Sequence, residues 1–82
     1  MRYASGQEVL PGDAVQIDTR HRGLVVACIA EGMCLPPHSV EQWGYLKTGV
    51  MIDTDFGGLV HYPSESDLTD DQVVLLHRAV SQ

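Results

Sequence analysis

The sequence predicts one small, mainly β domain built from about five short strands around a thin core. Its 82 residues are enough for a single domain spanning residues 1–82. Glycine and proline recur at short intervals, as turns between short strands require. Between these turns, apolar and polar residues alternate or form brief β-branched runs, which are typical of strands.

The first two strands are predicted on either side of a turn at residues 20–23. Residues 13–18 follow the Pro11-Gly12 turn and alternate, so that Val15 and Ile17 face inward. Residues 24–29 form an apolar, β-branched run, which indicates a strand buried on much of both faces.

The middle of the chain predicts a loop and then a short helix. Pro36 and Pro37 lie in residues 31–38 and exclude both a helix interior and a central strand. Ser39 then begins a helix of residues 40–46, partly 3₁₀, and Gln42 completes its capping box.

Two further strands are predicted at residues 48–53 and 59–62, joined by a turn that ends in Gly57-Gly58. Residues 64–71 read as a polar, acidic loop. For residues 72–80 a capping box from Thr69 to Gln72 favours a helix, whereas the β-branched side chains favour a strand. We expect the strand, because four strands leave an open sheet edge that a fifth would cover.

Hairpins, one short helical turn near residues 39–46 and a closing last strand together match the plan of an SH3-like barrel. Such barrels present loops and a shallow groove on their surface. A fold of this kind does not by itself define a function.

The charge balance bears on the kind of partner. Five Lys and Arg against eleven Asp and Glu give a net charge of −6, which disfavours nucleic acids and anionic membranes. An acidic surface suits a basic partner, although the same charge also serves solubility. No apolar run is long enough for a membrane span or a signal peptide, so we expect a cytoplasmic protein.

The residues that carry chemistry form no recognisable catalytic or metal-binding pattern, and we expect no enzyme activity, no metal and no cofactor. Cys28 and Cys34 are expected to be reduced thiols rather than a redox pair. The rival hypothesis is a small hydrolase in which Asp53, Asp55 and His61 share one groove.

Residues 41–47 contain the aromatic side chains best suited to an interface, although Trp43 can instead plug the end of the barrel. Acids of the later turn and loop would supply charge complementarity. The predicted protein-binding residues are Trp43, Tyr45, Asp55, Glu65, Asp67, Asp70 and Asp71.

Two stretches resemble a group of small bacterial proteins with SH3-like barrels. They are residues 3–15 (YASGQEVLPGDAV) and residues 41–55 (EQWGYLKTGVMIDTD) followed by 57–62 (GGLVHY). Some proteins of that group are similar to immunity proteins, which neutralise a toxin delivered between bacteria. The resemblance implies a non-enzymatic inhibitor and carries over no catalytic residues.

The functional hypothesis is therefore a protein-binding module that inhibits a cognate, basic bacterial toxin. The alternatives are a general adaptor, a homodimer that pairs through a strand edge, and a nucleic-acid-associated barrel.

Overall fold

The computed structural model describes residues 1–35 and 40–78. In these ranges six strands form one antiparallel sheet, which confirms the prediction of a mainly β domain. The strands are β1 (Ala14–Ile17), β2 (His21–Cys28), β3 (Met33–Cys34), β4 (Val50–Thr54), β5 (Gly58–Tyr62) and β6 (Val74–His77). The helices are α1 (Val40–Trp43), continued by a 3₁₀ turn (Gly44–Leu46), and α2 (Glu65–Asp70). None of the helices in the described ranges has the length and apolar character to cross a membrane.

The order of the strands is β5-β4-β2-β1-β6, and β3 pairs separately with β2. Within the described residues β5 and β6 form the two ends of this order and do not pair with each other, so the sheet is open. Helix α2 connects these two end strands and buries Leu68 completely in the core. The final segment is thus a strand over residues 74–77, as predicted, and the helical alternative is wrong there. Within the described residues it pairs with β1 alone, so it does not close the sheet as expected.

Strand β2 curves the sheet because it contains a bulge. Val25 pairs with Ile52 and Ala27 with Met51, so Val26 has no partner of its own on β4. Such an extra residue bends a strand and increases its twist. The bend wraps the sheet around an inner core, whose buried residues are Tyr3, Val9, Val15, Ile17, Val25, Cys28, Val50, Ile52, Tyr62, Leu68 and Val73.

A second, smaller cluster covers the outer face of the sheet. It comprises Val26, Ala27, Ile29, Trp43 and Met51, with Leu46 packed against it. Trp43 is only 8% exposed, so most of its indole is used in packing. The segment that carries α1 thus covers this part of the sheet.

Two segments that were predicted to be loops contain regular structure. Residues 64–71 were expected to form a loop but contain α2, because the Asp67 carboxylate accepts a hydrogen bond from the Ser64 N–H at 3.1 Å and closes the first turn. Likewise β3 forms a short strand in the predicted loop of residues 31–38. Pro36, Pro37 and the expected helix cap Ser39 lie outside the described residues.

The first hairpin turn lies earlier than predicted, at residues 18–20 rather than 20–23. Asp18 and Thr19 have φ values of 53° and 59°, and the Arg20 N–H donates to the Ile17 carbonyl at 3.3 Å. Positive φ at both central residues is typical of a type I′ turn, whose twist matches that of paired strands. His21 consequently begins β2 instead of standing in the turn.

Candidate functional site

One cleft of about 360 Å³ opens at an end of the sheet, between the β1–β2 turn, the β4–β5 turn and the C-terminal end of α2. It is lined by Ile17, Asp18, His21, Phe56, Asp70 and Asp71. We refer to it as the acidic cleft, because three of these six residues carry a carboxylate.

Backbone hydrogen bonds fix one side of the acidic cleft. The Asp18 N–H donates to the Asp71 carbonyl at 2.9 Å, which ties the β1–β2 turn to the end of α2. The Asp71 N–H in turn donates to the Asp67 carbonyl at 3.2 Å, at the C-terminal cap of the helix. The positions of Asp18 and Asp71 are therefore set together by the backbone.

The Asp71 carboxylate is also held by a side chain from the core. The Tyr62 hydroxyl donates to Asp71 Oδ2 at 2.8 Å, while the ring of Tyr62 is buried. Burial, and then the hydrogen bond to Asp71, raise the pKa of the Tyr62 phenol well above its usual value. The hydroxyl thus keeps its proton and continues to donate to the carboxylate.

The opposite side of the acidic cleft is a His–Asp pair with a phenyl ring. Asp55 Oδ1 lies 3.2 Å from His21 Nδ1, and Asp55 Oδ2 accepts the Arg22 N–H at 3.1 Å. The rings of His21 and Phe56 have centroids 4.8 Å apart, with planes inclined by 56°. These contacts hold Phe56 at the cleft although the side chain is 49% exposed.

Buried Thr54 shapes the turn that presents Phe56. Its hydroxyl donates to the Gly58 carbonyl at 2.7 Å and accepts the Gly57 N–H at 3.1 Å. Gly58 has a φ of 69°, a conformation that favours glycine. The turn is thus ordered by a side chain from within the sheet, and the phenyl ring extends from a fixed base.

The acidic cleft has an excess of negative charge. In the part of the chain that the structure describes, no hydrogen bond or ion pair engages the exposed Asp70 carboxylate. Asp18 has one cationic neighbour, Arg20, at 3.9 Å, and both side chains are well exposed. An exposed pair at this distance contributes little and neutralises the cleft only weakly.

A neighbouring cleft of about 310 Å³ shares two residues with the first. It is lined by Val60, His61, Tyr62, Pro63, Asp67, Asp70 and Asp71. Asp70 and Asp71 therefore lie where the two clefts adjoin.

No family model, curated protein or solved structure matches the chain. Among the described residues, no group of three or more His, Cys, Asp or Glu side chains is placed to hold a metal ion. What the acidic cleft can bind follows from its own chemistry. Carboxylates beside an exposed aromatic ring complement a cationic group, through charge and through the face of the ring.

The structure brings together some of the predicted binding residues and separates others. Asp70 and Asp71 line the acidic cleft, and Asp55 braces its wall. Asp67 lines the neighbouring cleft, whereas Glu65 lines neither and accepts a hydrogen bond from the Arg2 N–H at 2.8 Å.

The two predicted aromatic anchors also line neither cleft. Trp43 is packed in the outer cluster, which leaves little of its surface for a partner. Tyr45, on the same segment, is 76% exposed and is available as a separate contact.

The three residues of the rival hydrolase hypothesis do not share one cleft. The Asp55 carboxylate is hydrogen-bonded to the His21 ring and the Arg22 N–H. His61 instead faces the Thr48 carbonyl, which lies 2.9 Å from its Nε2. Asp53 is exposed and pairs with Leu24 and Leu59 in the sheet, outside both clefts.

Sequence reasoning missed His21, Phe56 and Asp18 as residues of this site. His21 meets Asp55 across 34 positions of the chain, a contact that no local pattern reveals. A signal for Phe56 was present, because a phenyl ring at the tip of a two-glycine turn has little protein around it to bury it.

Proposed function

We propose that this protein is a non-enzymatic protein-binding module, and more specifically an immunity protein that inhibits a cognate bacterial toxin. The observation that carries the proposal is the acidic cleft, where an exposed phenyl ring lies among three carboxylates. Aromatic side chains are common interface anchors, and a surrounding charge of one sign speeds and orients the approach of a partner.

The sign of the charge supports a basic partner. The net charge of −6 adds a long-range attraction to the local one at the cleft. Toxins that attack nucleic acids are a suitable class, because an enzyme with an anionic substrate presents a cationic surface. An acidic inhibitor placed over such a surface would compete directly with the substrate.

The architecture supports the same proposal. We propose that the curved sheet belongs to the SH3-like barrel class, since α2 spans the gap between its two end strands and Leu68 packs into the core there. A domain of this size has a thin core, while hydrogen bonds fix the turns around the acidic cleft. That combination favours a fixed binding surface over a buried reaction centre.

The test is to express the product of the reading frame next to this gene, with and without this protein. We expect the neighbouring product to arrest growth alone, this protein to restore growth, and the two purified proteins to bind each other. A harmless neighbour, or a toxic one that this protein neither binds nor neutralises, would contradict the proposal.

A homodimer is the second candidate, favoured by apolar side chains left exposed on the sheet. Leu24 and Leu59 are 40% and 44% exposed and flank Asp53 across β2, β4 and β5. Sedimentation of the wild type and of Leu59→Lys over a range of concentrations tests it. A dimer that the substitution dissociates would favour self-association, whereas a monomer at all concentrations would exclude it.

A further inference from the structure

We propose that the acidic cleft is a socket for a single arginine side chain of the partner. This inference rests on the proposed function for the existence of a partner, but the chemistry of the socket is contained in this chain. The cleft volume of about 360 Å³ lies at the lower end of the range for ligand sites, about 300–1,000 Å³. It therefore suits one long side chain better than an extended ligand.

The shape of the cleft favours a flat cation. Phe56, which is half-exposed, offers part of its ring at one wall, and buried Ile17 lies beneath the cleft. A guanidinium group stacks on an aromatic face while its N–H groups remain free to bond in the plane. The methylene stem of an arginine would meanwhile cover apolar surface.

The two carboxylates of α2 and its cap differ in how far other groups of the protein already engage them. Asp70 is unengaged in the described part of the chain, so a guanidinium would displace only solvent from it. Asp71 has one oxygen held by Tyr62, which fixes the carboxylate while its Oδ1 remains available. Both carboxylates line the same cleft, and the several N–H donors of a guanidinium can bond to more than one acceptor, whereas lysine presents a compact point charge.

The aromatic wall is already in its binding position in the free protein. Asp55 holds His21 at 3.2 Å, and His21 contacts Phe56. A side chain that is held in place before binding costs less to order when the partner arrives. Arg20 is the one competitor among the described cations near the cleft, and its distance from Asp18 of 3.9 Å makes it easy to displace.

The experiment is an NMR titration of the purified protein, at low ionic strength, with three small probes. They are N-acetyl-arginine N-methylamide, its lysine counterpart and its citrulline counterpart, which is close in shape to arginine but uncharged. We expect shifts confined to the residues around the acidic cleft, several-fold weaker binding of the lysine probe, and loss of about tenfold or more with citrulline.

Three variants locate the site. Asp70→Asn removes the free carboxylate and Phe56→Leu removes the ring, and we expect each to weaken the arginine probe by about threefold or more. Asp53→Asn is the matched control, because it removes the same charge from an exposed position outside both clefts. It should leave the affinity for the probe unchanged.

Equal binding of arginine and lysine, shifts spread over the whole acidic surface, or equal effects of Asp53→Asn and Asp70→Asn would each overturn the socket. The result is separable from the test of the proposed function. If this protein neutralises the toxin but Asp70→Asn and Phe56→Leu leave their affinity unchanged, the arginine socket is rejected and the immunity function stands. If the arginine probe binds at the cleft but no toxin partner is found, the immunity function is rejected and the arginine site stands.

Discussion

Asp13 and Asp70 show two opposite uses of the same side chain. Asp13 is 1% exposed, and its Oδ2 accepts hydrogen bonds from the Tyr3 hydroxyl at 2.7 Å and from the Leu10 N–H at 2.9 Å. An Arg78 guanidinium nitrogen lies 2.8 Å from the same oxygen. Asp70 is exposed and accepts no bond in the described part of the chain.

The contrast shows that this acidic protein holds some carboxylates in the core and leaves others exposed at the acidic cleft, where we propose that a partner binds. Asp13 joins three distant parts of the chain, since Tyr3 precedes β1 and Arg78 follows β6 and also donates to the Glu8 carbonyl at 2.6 Å. A charge that is paired and buried adds little to the field that a partner meets. The negative electrostatic potential at the cleft comes from exposed carboxylates such as Asp70, which is not paired with a cation in the described part of the chain.

The largest expected effect comes from the same isosteric change at the two positions. Asp13→Asn should lower the free energy of unfolding by about 3 kcal/mol, because the hydrogen bonds to Oδ2 lose the negative charge that strengthens them and Arg78 loses its ion-pair partner. Asp70→Asn should change it by less than about 0.5 kcal/mol, since the side chain is exposed. Urea denaturation measures both.

A small domain has little stability in reserve, so Asp13→Asn can leave part of the population unfolded at room temperature. Tyr3→Phe then serves as a milder variant, because it removes one hydrogen bond to the Asp13 carboxylate and leaves the ion pair with Arg78 in place. Equal stability losses for Asp13→Asn and Asp70→Asn would contradict the division between the two carboxylates.

Tyr62→Phe sharpens the comparison, because Tyr62 is the link between the core and the acidic cleft. The variant should lose about 1 kcal/mol of stability with the hydrogen bond to Asp71. It should also weaken the arginine probe, because Asp71 is then no longer held. Tyr45→Phe removes the same hydroxyl from an exposed ring and should change neither quantity. Equal changes of stability and of probe affinity in Tyr62→Phe and Tyr45→Phe would show that the hydrogen bond to Asp71 is unimportant.

Much of this fold could be predicted from local patterns. Val15 and Ile17 alternate with polar residues and are buried as expected, and the run through Val25 is a strand. The α2 helix was missed because its cap is Ser64 with Asp67 rather than the Glu or Gln of a usual capping box.

The candidate site could be predicted only in part. The acids of residues 65–71 stood out by composition, and two of them, Asp70 and Asp71, do line the acidic cleft. The rest depends on contacts between distant segments, such as the His21–Asp55 pair. The burial of Asp13 also depends on Arg78, 65 positions away, so no local spacing distinguishes it from an exposed turn residue.

Raising the pH should lower the stability of the folded state, because several groups hold their protons more tightly when folded. Burial raises the pKa of Cys28 from 9.0 to about 12, and burial followed by the bond to Asp13 raises that of Tyr3. The pKa of the Met1 amine is raised from 8.0. Burial alone would lower this pKa, but the hydrogen bonds to Glu31 and Glu8 and their negative charges outweigh burial. The folded state therefore binds more protons than the unfolded state above about pH 8.

The free energy of unfolding should accordingly decrease as the pH rises from about 8 toward 12. Urea denaturation at a series of pH values measures this. Cys28→Ala should flatten the decrease between pH 9 and 12, because its thiol no longer ionises on unfolding. A stability that increases over this interval would contradict the assigned pKa directions.

The smallest effect concerns the two thiols, which repeat the contrast between buried and accessible groups. Cys34 pairs with Ala27 and Cys28 with Met33, so neighbouring register places the two sulfurs on opposite faces of the sheet. Both are free thiols, Cys28 buried and Cys34 partly exposed. Titration without reductant should count two thiols after denaturation and only Cys34 in the folded protein. A count of zero would contradict this arrangement.

The central claim, that the acidic cleft binds a basic partner, is tested most directly by calorimetric titration with the purified product of the neighbouring reading frame. Wild type, Asp70→Asn combined with Asp71→Asn, and the control Asp53→Asn should be compared at two salt concentrations. We expect the double variant to lose at least about tenfold in affinity, the wild type to weaken with salt, and the control to match the wild type. Equal affinity of all three proteins would contradict the claim.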